Sequence, residues 1–227
     1  MNEISNQWDD LTEMFDPREK NPHVDDNRMV AAPVLMRMIP AQGTGLDFGC
    51  GTGWLAAELS QAGYTMEAMN LGPKMLEVAR QRFSEHLRLI QGGVEELSQG
   101  APLDFIVAMM VLQFLCTSEL EQFAQNAASR VRRGGVLAFA THTHEYLDFA
   151  AGQKDMPFEK GKIDLGSGPI TIHARTADDY TEIFSTSGWQ LTQAQRVAVT
   201  EEFHRKHPGA EPLDAPDKFL VMGFQMI

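Results

Sequence analysis

The sequence predicts an α/β chain: a doubly wound, mostly parallel seven-stranded sheet with helices on both faces, an N-terminal helical cap and a C-terminal antiparallel strand pair. Three observations carry this. Short apolar runs alternate with helical patterns from about residue 45 onward. A glycine-rich turn joins the first strand of that run to its first helix. The last two strand-like segments are separated by a loop rich in Pro and Gly, not by a helix. Strand–helix alternation argues for a parallel sheet covered on both faces.

The elements follow in order. The first forty residues read as amphipathic helices, broken at Pro17, Pro22, Pro33 and Pro40, with Trp8, Leu11 and Phe15 on one face. Gly45 to Phe48 is a strand that runs into glycines, and Leu55 to Gln61 is a helix ending near Gly63. Tyr64 to Met69 is a strand, Pro73 opens a helix that runs through Phe83, and Leu87 to Ile90 is a strand. Leu103 to Met109 is continuously apolar, as a strand buried on both faces should be. Ser118 stands as an N-cap with Glu121 three residues on, and the helix runs to about Val131. Gly134-Gly135 turns the chain into the strand Val136 to Ala140.

Lys160 to His173 holds Gly166-Ser167-Gly168-Pro169 and reads as a hairpin or mobile loop. Thr176 caps a helix to Ser187, and Trp189–Thr200 and Lys218–Met226 are strands. The expected organisation is one unit: a cap over 1–40, a ligand-binding core over 41–142, a substrate-side insert over 143–175, and a C-terminal helix and strands over 176–227.

Composition limits the partners. With 19 basic and 31 acidic residues the formal net charge is −12, which disfavours a general grip on nucleic acid. No apolar run approaches the roughly 20 residues of a membrane span. The start of the chain, MNEISNQWDD, has neither a basic nor an apolar leader region. The expectation is a cytoplasmic protein that binds neither nucleic acid nor membrane. Cys50 and Cys116 are far apart and in no metal-ligand spacing.

The most informative stretch is Leu46-Asp47-Phe48-Gly49-Cys50-Gly51-Thr52-Gly53-Trp54. Glycine allows positive φ and close approach of a ligand to the backbone, and a helix N-terminus favours a carboxylate or phosphate. A dinucleotide fingerprint would need its third glycine at Trp54, and a phosphate loop would need a Lys after the glycines. Both readings fail. The pattern present, acidic-x-G-x-G-x-G, resembles that of the class I S-adenosylmethionine-dependent methyltransferases, built on a Rossmann-like sheet.

Further stretches are similar to that family in order. They are Asn70 to Leu76, Gly92 to Leu97, Asp104 to Leu115, and Arg133 to Leu137, and together they cover about residues 40 to 142. The resemblance implies that S-adenosylmethionine is the cofactor, S-adenosylhomocysteine its product, and a small molecule the methyl acceptor. It implies that Asp47, Gly49, Gly51 and Gly53 hold the cofactor. It also implies that Asn70, Leu71, Gly93, Val94 and Glu95 meet ribose and adenine, and that Ala108 passes near the methionine part.

Two positions depart from the family pattern. Where an acid usually ends the second strand and binds the ribose hydroxyls, this chain has Asn70. An amide accepts through its oxygen but lacks the charge. Glu67 lies inside the strand and is a poor substitute. Where Asp often meets the adenine amino group stands Gly93, with Glu95 two residues on.

Methyl transfer needs alignment and desolvation, and a base only when the acceptor must lose a proton. His142 and His144, just after the fifth parallel strand, are candidates for a base or an acceptor-orienting group. Their H-x-H-x-E spacing also admits a metal reading, but no third ligand is visible nearby, and a solvated turn is the plain alternative. Gln113 and His173 are candidate acceptor contacts. Trp8 and Phe15 would either lid the site or pack against the core. Two other classes stay open: a cofactor-binding protein of this fold without methyl transfer, and a metal-dependent hydrolase using the two histidines.

Overall fold

A computed structural model of the chain describes residues 3–15, 21–83, 85–153, 158–159 and 161–227. The break expected at Pro17 and the first residue of the expected hairpin segment, Lys160, lie outside the described residues. The N-terminal segment forms α1 (Glu3–Asp10), α2 (Pro22–Asp26) and α3 (Ala32–Met36), with a π-helical turn at Asn27–Ala31. Pro22 opens α2, where a proline forfeits no intrahelical bond, and Pro33 lies just after the π-helical turn within the unbroken helical run 22–36, so neither ends a helix.

The core then alternates: β1 (Thr44–Phe48), α4 (Trp54–Gln61), β2 (Thr65–Asn70), α5 (Pro73–Phe83), β3 (Leu87–Gln91), β4 (Leu103–Met109), α6 (Thr117–Arg130) and β5 (Val131–His142). After it come α7 (His144–Ala151), the short strands β6 (Phe158–Glu159), β7 (Lys162–Asp164) and β8 (Pro169–Thr171), α8 (Ala177–Ser185), β9 (Trp189–Val197), α9 (Glu201–Lys206) and β10 (Phe219–Met226). The main sheet has seven strands in the order β3-β2-β1-β4-β5-β10-β9. The first five are parallel, and β10 runs antiparallel between β5 and β9. This is the doubly wound, Rossmann-like sheet with a C-terminal antiparallel pair. Strand order reverses between β1 and β4, so a crevice opens at their carboxyl ends.

Alternation along β4 explains the two cores. Phe105 and Val107 pack into the apolar layer shared with α3 and α4, whereas Ile106 and Ala108 face the layer under α6 and α8. Helix α6 buries Leu120, Phe123, Ala124 and Ala127, the i, i+3, i+4, i+7 stripe of a helix lying on a sheet. A third cluster joins Leu11 of the cap to Tyr146 and Ala150 of α7 and to Ile163, Ile170 and Ile172 of the insert, with Trp8 and Phe15 against it.

Three local expectations need correction. Helix α6 is capped by Cys116 and Glu119, whose carboxylate accepts the Cys116 N–H at 2.8 Å; Ser118 lies inside the helix. Strand β5 begins at Val131, so Gly134-Gly135 sits within the strand and not before it, at a shift of register against β4. A Cβ on Gly135 would lie 2.7 Å from the Asp104 carbonyl oxygen, which explains the residue there. Helices α7 and α9 occupy segments that read as turn and loop.

Candidate active site

The crevice is a cavity of about 530 Å³, within the range of small-molecule sites. Its floor is the turn after β1. The Gly49 and Cys50 N–H groups both donate to the Met69 carbonyl at 2.9 Å, tying the turn to the end of β2. Gly49 has φ +72°, and a Cβ there would lie 2.6 Å from Val111 Cγ2, so strain and space both demand glycine. Gly51 also has positive φ and lines the cavity.

Gly53 does something different. It does not line the cavity, and a Cβ there would lie 3.0 Å from Ala79 Cβ. The third glycine therefore packs α4 closely against α5 and starts α4 with φ +83°. Ala108 is likewise fully buried in the sheet, and its neighbours Met109 and Met110 form the wall instead. Met110 has φ +58°, a left-handed conformation that costs a non-glycine residue about 1–3 kcal/mol, and its N–H donates to the Ala140 carbonyl at 2.8 Å. No sequence signal marked this strained residue.

Asp47 lines the cavity, is 1% exposed, and neither carboxylate oxygen makes a well-formed hydrogen bond among the described residues, the Ala56 amide offering only a weak one. Burial pushes its pKa up to about 7, against the pull of the Ala56 amide in the first turn of α4. An ion in that position is costly unless a cation or strong donor meets it.

Asn70 is already engaged. Its Oδ1 accepts the Gly51 N–H at 3.2 Å and its Nδ2 donates to the Gly72 carbonyl at 3.3 Å, clamping the glycine turn to the start of α5. A buried carboxylate, Asp9, stands close by, accepting the Lys74 N–H at 3.0 Å. Asn70→Asp would set a carboxylate against the Gly72 carbonyl and beside Asp9. Restoring the family acid is therefore expected to weaken the clamp by about 1–2 kcal/mol, with no gain in cofactor affinity. Calorimetry with S-adenosylhomocysteine and thermal melting check this.

Glu67 is spent elsewhere. Its two oxygens meet Arg88 and the buried Arg130, each at 2.6 Å. At the β3 end, Gly93 has room beside it, since an added Cβ would meet only Leu71 Cδ1 at 3.6 Å. Glu96, one residue beyond the expected Glu95, accepts the Gly93 N–H at 2.8 Å, and both glutamates line the cavity with Leu71 and Val94.

On the other side stand Gln113 and His142. The Gln113 Oε1 accepts the His142 N–H at 2.9 Å, and the Gln113 carbonyl accepts the His173 N–H at 2.8 Å. The His142 ring lies nearly parallel to those of Tyr146, at 5.2 Å, and Phe219, at 6.0 Å. Trp8 and Phe15 line the cavity with Phe114, whose ring meets Trp8 edge-on at 4.7 Å. Thr52 donates to the Phe15 carbonyl at 2.9 Å, fastening this aromatic wall to the glycine turn.

The two histidines part company. Strand β5 ends at His142, and Thr143 caps α7 by accepting the Tyr146 N–H at 3.1 Å. His144 is thus the first residue of a helix, exposed, 3.4 Å from Asp148, and beside a separate cavity of about 160 Å³. The strand-face spacing behind the metal reading is lost, and among the described residues no three His, Cys, Asp or Glu side chains gather as a metal site. His173 does not line the larger cavity; burial and the Arg175 charge depress its pKa. Among the described residues no helix is long and apolar enough to cross a membrane.

Comparison with known proteins agrees with this geometry. Residues 46–135 match the family model of a methyltransferase domain. The malonyl-acyl-carrier-protein O-methyltransferase of Halalkalibacterium halodurans is 34% identical over 134 residues, covering 52% of this chain and 49% of that protein. Its namesake from Serratia marcescens is 35% identical over 97 residues, covering 42% and 37%. The chain thus spans half or less of the length of these curated relatives. Among solved structures, a complex of DhpI with S-adenosylhomocysteine is similar with a TM-score of 0.71 at 17% identity, covering 98% of this chain and 94% of the other. The N-methyltransferase NodS from Bradyrhizobium japonicum, bound to S-adenosylhomocysteine, gives 0.66 at 17%, covering 97% and 98%. These two likenesses are of fold. By sequence, residues 46–135 therefore match a methyltransferase domain, on a fold shared with S-adenosylhomocysteine-binding proteins.

Proposed function

We propose that the chain transfers a methyl group from S-adenosylmethionine to a small-molecule acceptor by in-line displacement. The observation that carries this reading is Asp47: a buried carboxylate below the glycine turn, with no well-formed hydrogen bond among the described residues, which the ammonium of the cofactor's methionine part would satisfy. The bound cofactor would supply the activated methyl group and a neutral thioether leaving group. The protein's share is orientation and exclusion of water.

In this reading Gly49 and Gly51 let the cofactor lie against backbone, while Gly53 and Asn70 hold the turn in shape. Leu71, Val94 and the backbone at Gly93 flank the nucleoside, with Glu95 and Glu96 offering acceptors for its donors. Gln113 ties down the backbone of His142, whose ring, stacked on Tyr146, would meet the acceptor side. Trp8 and Phe15 of the cap, with Phe114 from the turn after β4, would flank the acceptor side.

Calorimetry of the purified chain with S-adenosylhomocysteine is the test: saturable one-to-one binding is expected, and no binding at near-millimolar ligand overturns the reading. Ala at the two histidines separates them. His144→Ala removes only an exposed pair with Asp148, so it should change stability by less than about 1 kcal/mol and leave S-adenosylhomocysteine affinity as it is.

A further inference from the structure

One buried cluster at the cavity wall has no part in holding the cofactor as described above. Asp26, the last residue of α2, is 2% exposed and lines the cavity. Its Oδ2 accepts from the buried Lys218 ammonium at 2.7 Å, and Lys218 also pairs with the buried Glu211. Glu211 accepts the Tyr146 hydroxyl at 2.9 Å, and the Lys218 Nζ lies 4.8 Å from the centre of the Tyr146 ring. One ammonium therefore faces two carboxylates, leaving an excess negative charge in a desolvated wall. The second oxygen of Asp26, Oδ1, has no hydrogen-bond partner among the described residues.

That orphan oxygen calls for a donor, because an unmet buried carboxylate oxygen is costly. The rest of the cavity points the same way. Asp26 shares it with Glu95, Glu96 and Glu119, and no Lys or Arg is among its described lining residues. Burial lifts the Asp26 pKa to about 6, with Glu211 adding to the rise while Lys218 and the Asn27 amide oppose it. At neutral pH the group is mostly ionised. The same cavity is lined by an aromatic wall of Trp8 and Phe15 from the cap and Phe114 from the turn after β4.

Resting on the methyl-transfer reading, we propose that Asp26 is an acceptor-binding residue, which takes the N–H of an amine or the O–H of a hydroxyl on an acceptor with an apolar, aromatic body. A carboxylate acceptor is disfavoured by the same wall, since it would meet like charge with no guanidinium or ammonium on the described surface to pair with it.

The test uses two probes with the same ring and linker and opposite charge, phenethylamine and 3-phenylpropionate, titrated into the S-adenosylhomocysteine-loaded chain and followed by ligand-observed NMR. Phenethylamine is expected to bind at least about tenfold more tightly, the equivalent of one good charge-assisted contact. In Asp26→Asn that preference should fall to about twofold or less. Equal or tighter binding of 3-phenylpropionate, binding of neither probe, or an unchanged preference in a folded Asp26→Asn variant would each overturn the proposal. Where the variant does not fold, magnetisation transfer between bound phenethylamine and the side chains of Asp26 and Asn27 in the wild type decides, and its absence overturns the proposal. The same titrations on ligand-free protein keep the two readings apart, because a chain that prefers the amine but ignores S-adenosylhomocysteine sinks the cofactor reading alone.

Discussion

Asp47→Asn is expected to lower affinity for S-adenosylhomocysteine by about ten- to a hundredfold while raising the melting temperature of the ligand-free protein. The two effects share one cause. Asp47 is buried with neither oxygen in a well-formed hydrogen bond among the described residues, and burial has moved its pKa from 3.8 to about 7. A group whose folded pKa is raised binds more protons in the native state than in the unfolded one. Its contribution to stability therefore falls as pH rises from about 4 to 7, and the loss is complete above that.

Replacing the carboxyl with an amide removes the ionic cost, although the amide's own unmet hydrogen bonds return part of it. A net gain of about 1–2 kcal/mol corresponds to roughly 2–8 °C at this chain length. The charge that destabilises the empty site is the one that would hold an ammonium, a trade of stability for binding. Melting curves at pH 5 and pH 8 check the sign: the variant's advantage should be larger at pH 8.

Arg130→Met is expected to destabilise the fold by about 3–5 kcal/mol, the usual cost of stripping one partner from a buried ion pair. Arg130 is 2% exposed. Its guanidinium pairs with Glu67 at 2.6 Å, donates to the Ala101 carbonyl at 2.6 Å and the Leu97 carbonyl at 3.2 Å, and also reaches the Gln99 carbonyl. It thus pins the segment between β3 and β4 to the end of α6 and to the middle of β2. A Cβ on Gly100 would lie 2.5 Å from Arg130 Nη2, so the loop is shaped around this side chain.

Arg88 is the control. It pairs with the same glutamate at the same distance but is two-thirds exposed, so Arg88→Ala should cost less than about 1 kcal/mol. The double variant Glu67→Gln/Arg130→Met should recover part of the loss, because the uncompensated buried charge is gone. Urea denaturation of the four proteins yields these differences directly.

Much of the fold was legible because periodicity reports burial. Leu103–Met109 is apolar throughout and is a central strand, and the stripe in α6 is visible from residue 120 on. What escaped was decided by contacts distant in sequence or by weak local signals. Cys116 is a poor N-cap by residue type, and it serves because Glu119 reaches back to its amide. Helix α7 begins at His144 because Thr143 caps it and is itself held by the Lys218 carbonyl, 75 positions further along.

The glycine turn announced the site, but not the division of labour within it. Whether a glycine faces a ligand or a helix depends on what packs behind it, and Gly53 faces Ala79. The acid missing at Asn70 seemed a weakness in the pattern; in three dimensions the amide donates and accepts at once, which a carboxylate could not do. The cluster of Asp26, Lys218, Glu211 and Tyr146 joins residues up to 192 positions apart, and no local pattern marks any of them.

In the proposed reading, Asp47 is the group that a bound ammonium satisfies. The direct measurement is calorimetric titration of S-adenosylhomocysteine at pH 6.5 in buffers of different ionisation enthalpy, on the wild type and on Asp47→Asn. An ammonium placed beside Asp47 would lower its pKa from about 7, so binding to the wild type should release a fraction of a proton, and affinity should rise with pH up to about 7.5. The variant should lose most of both effects. Binding without proton release, or the same release from both proteins, would contradict the account.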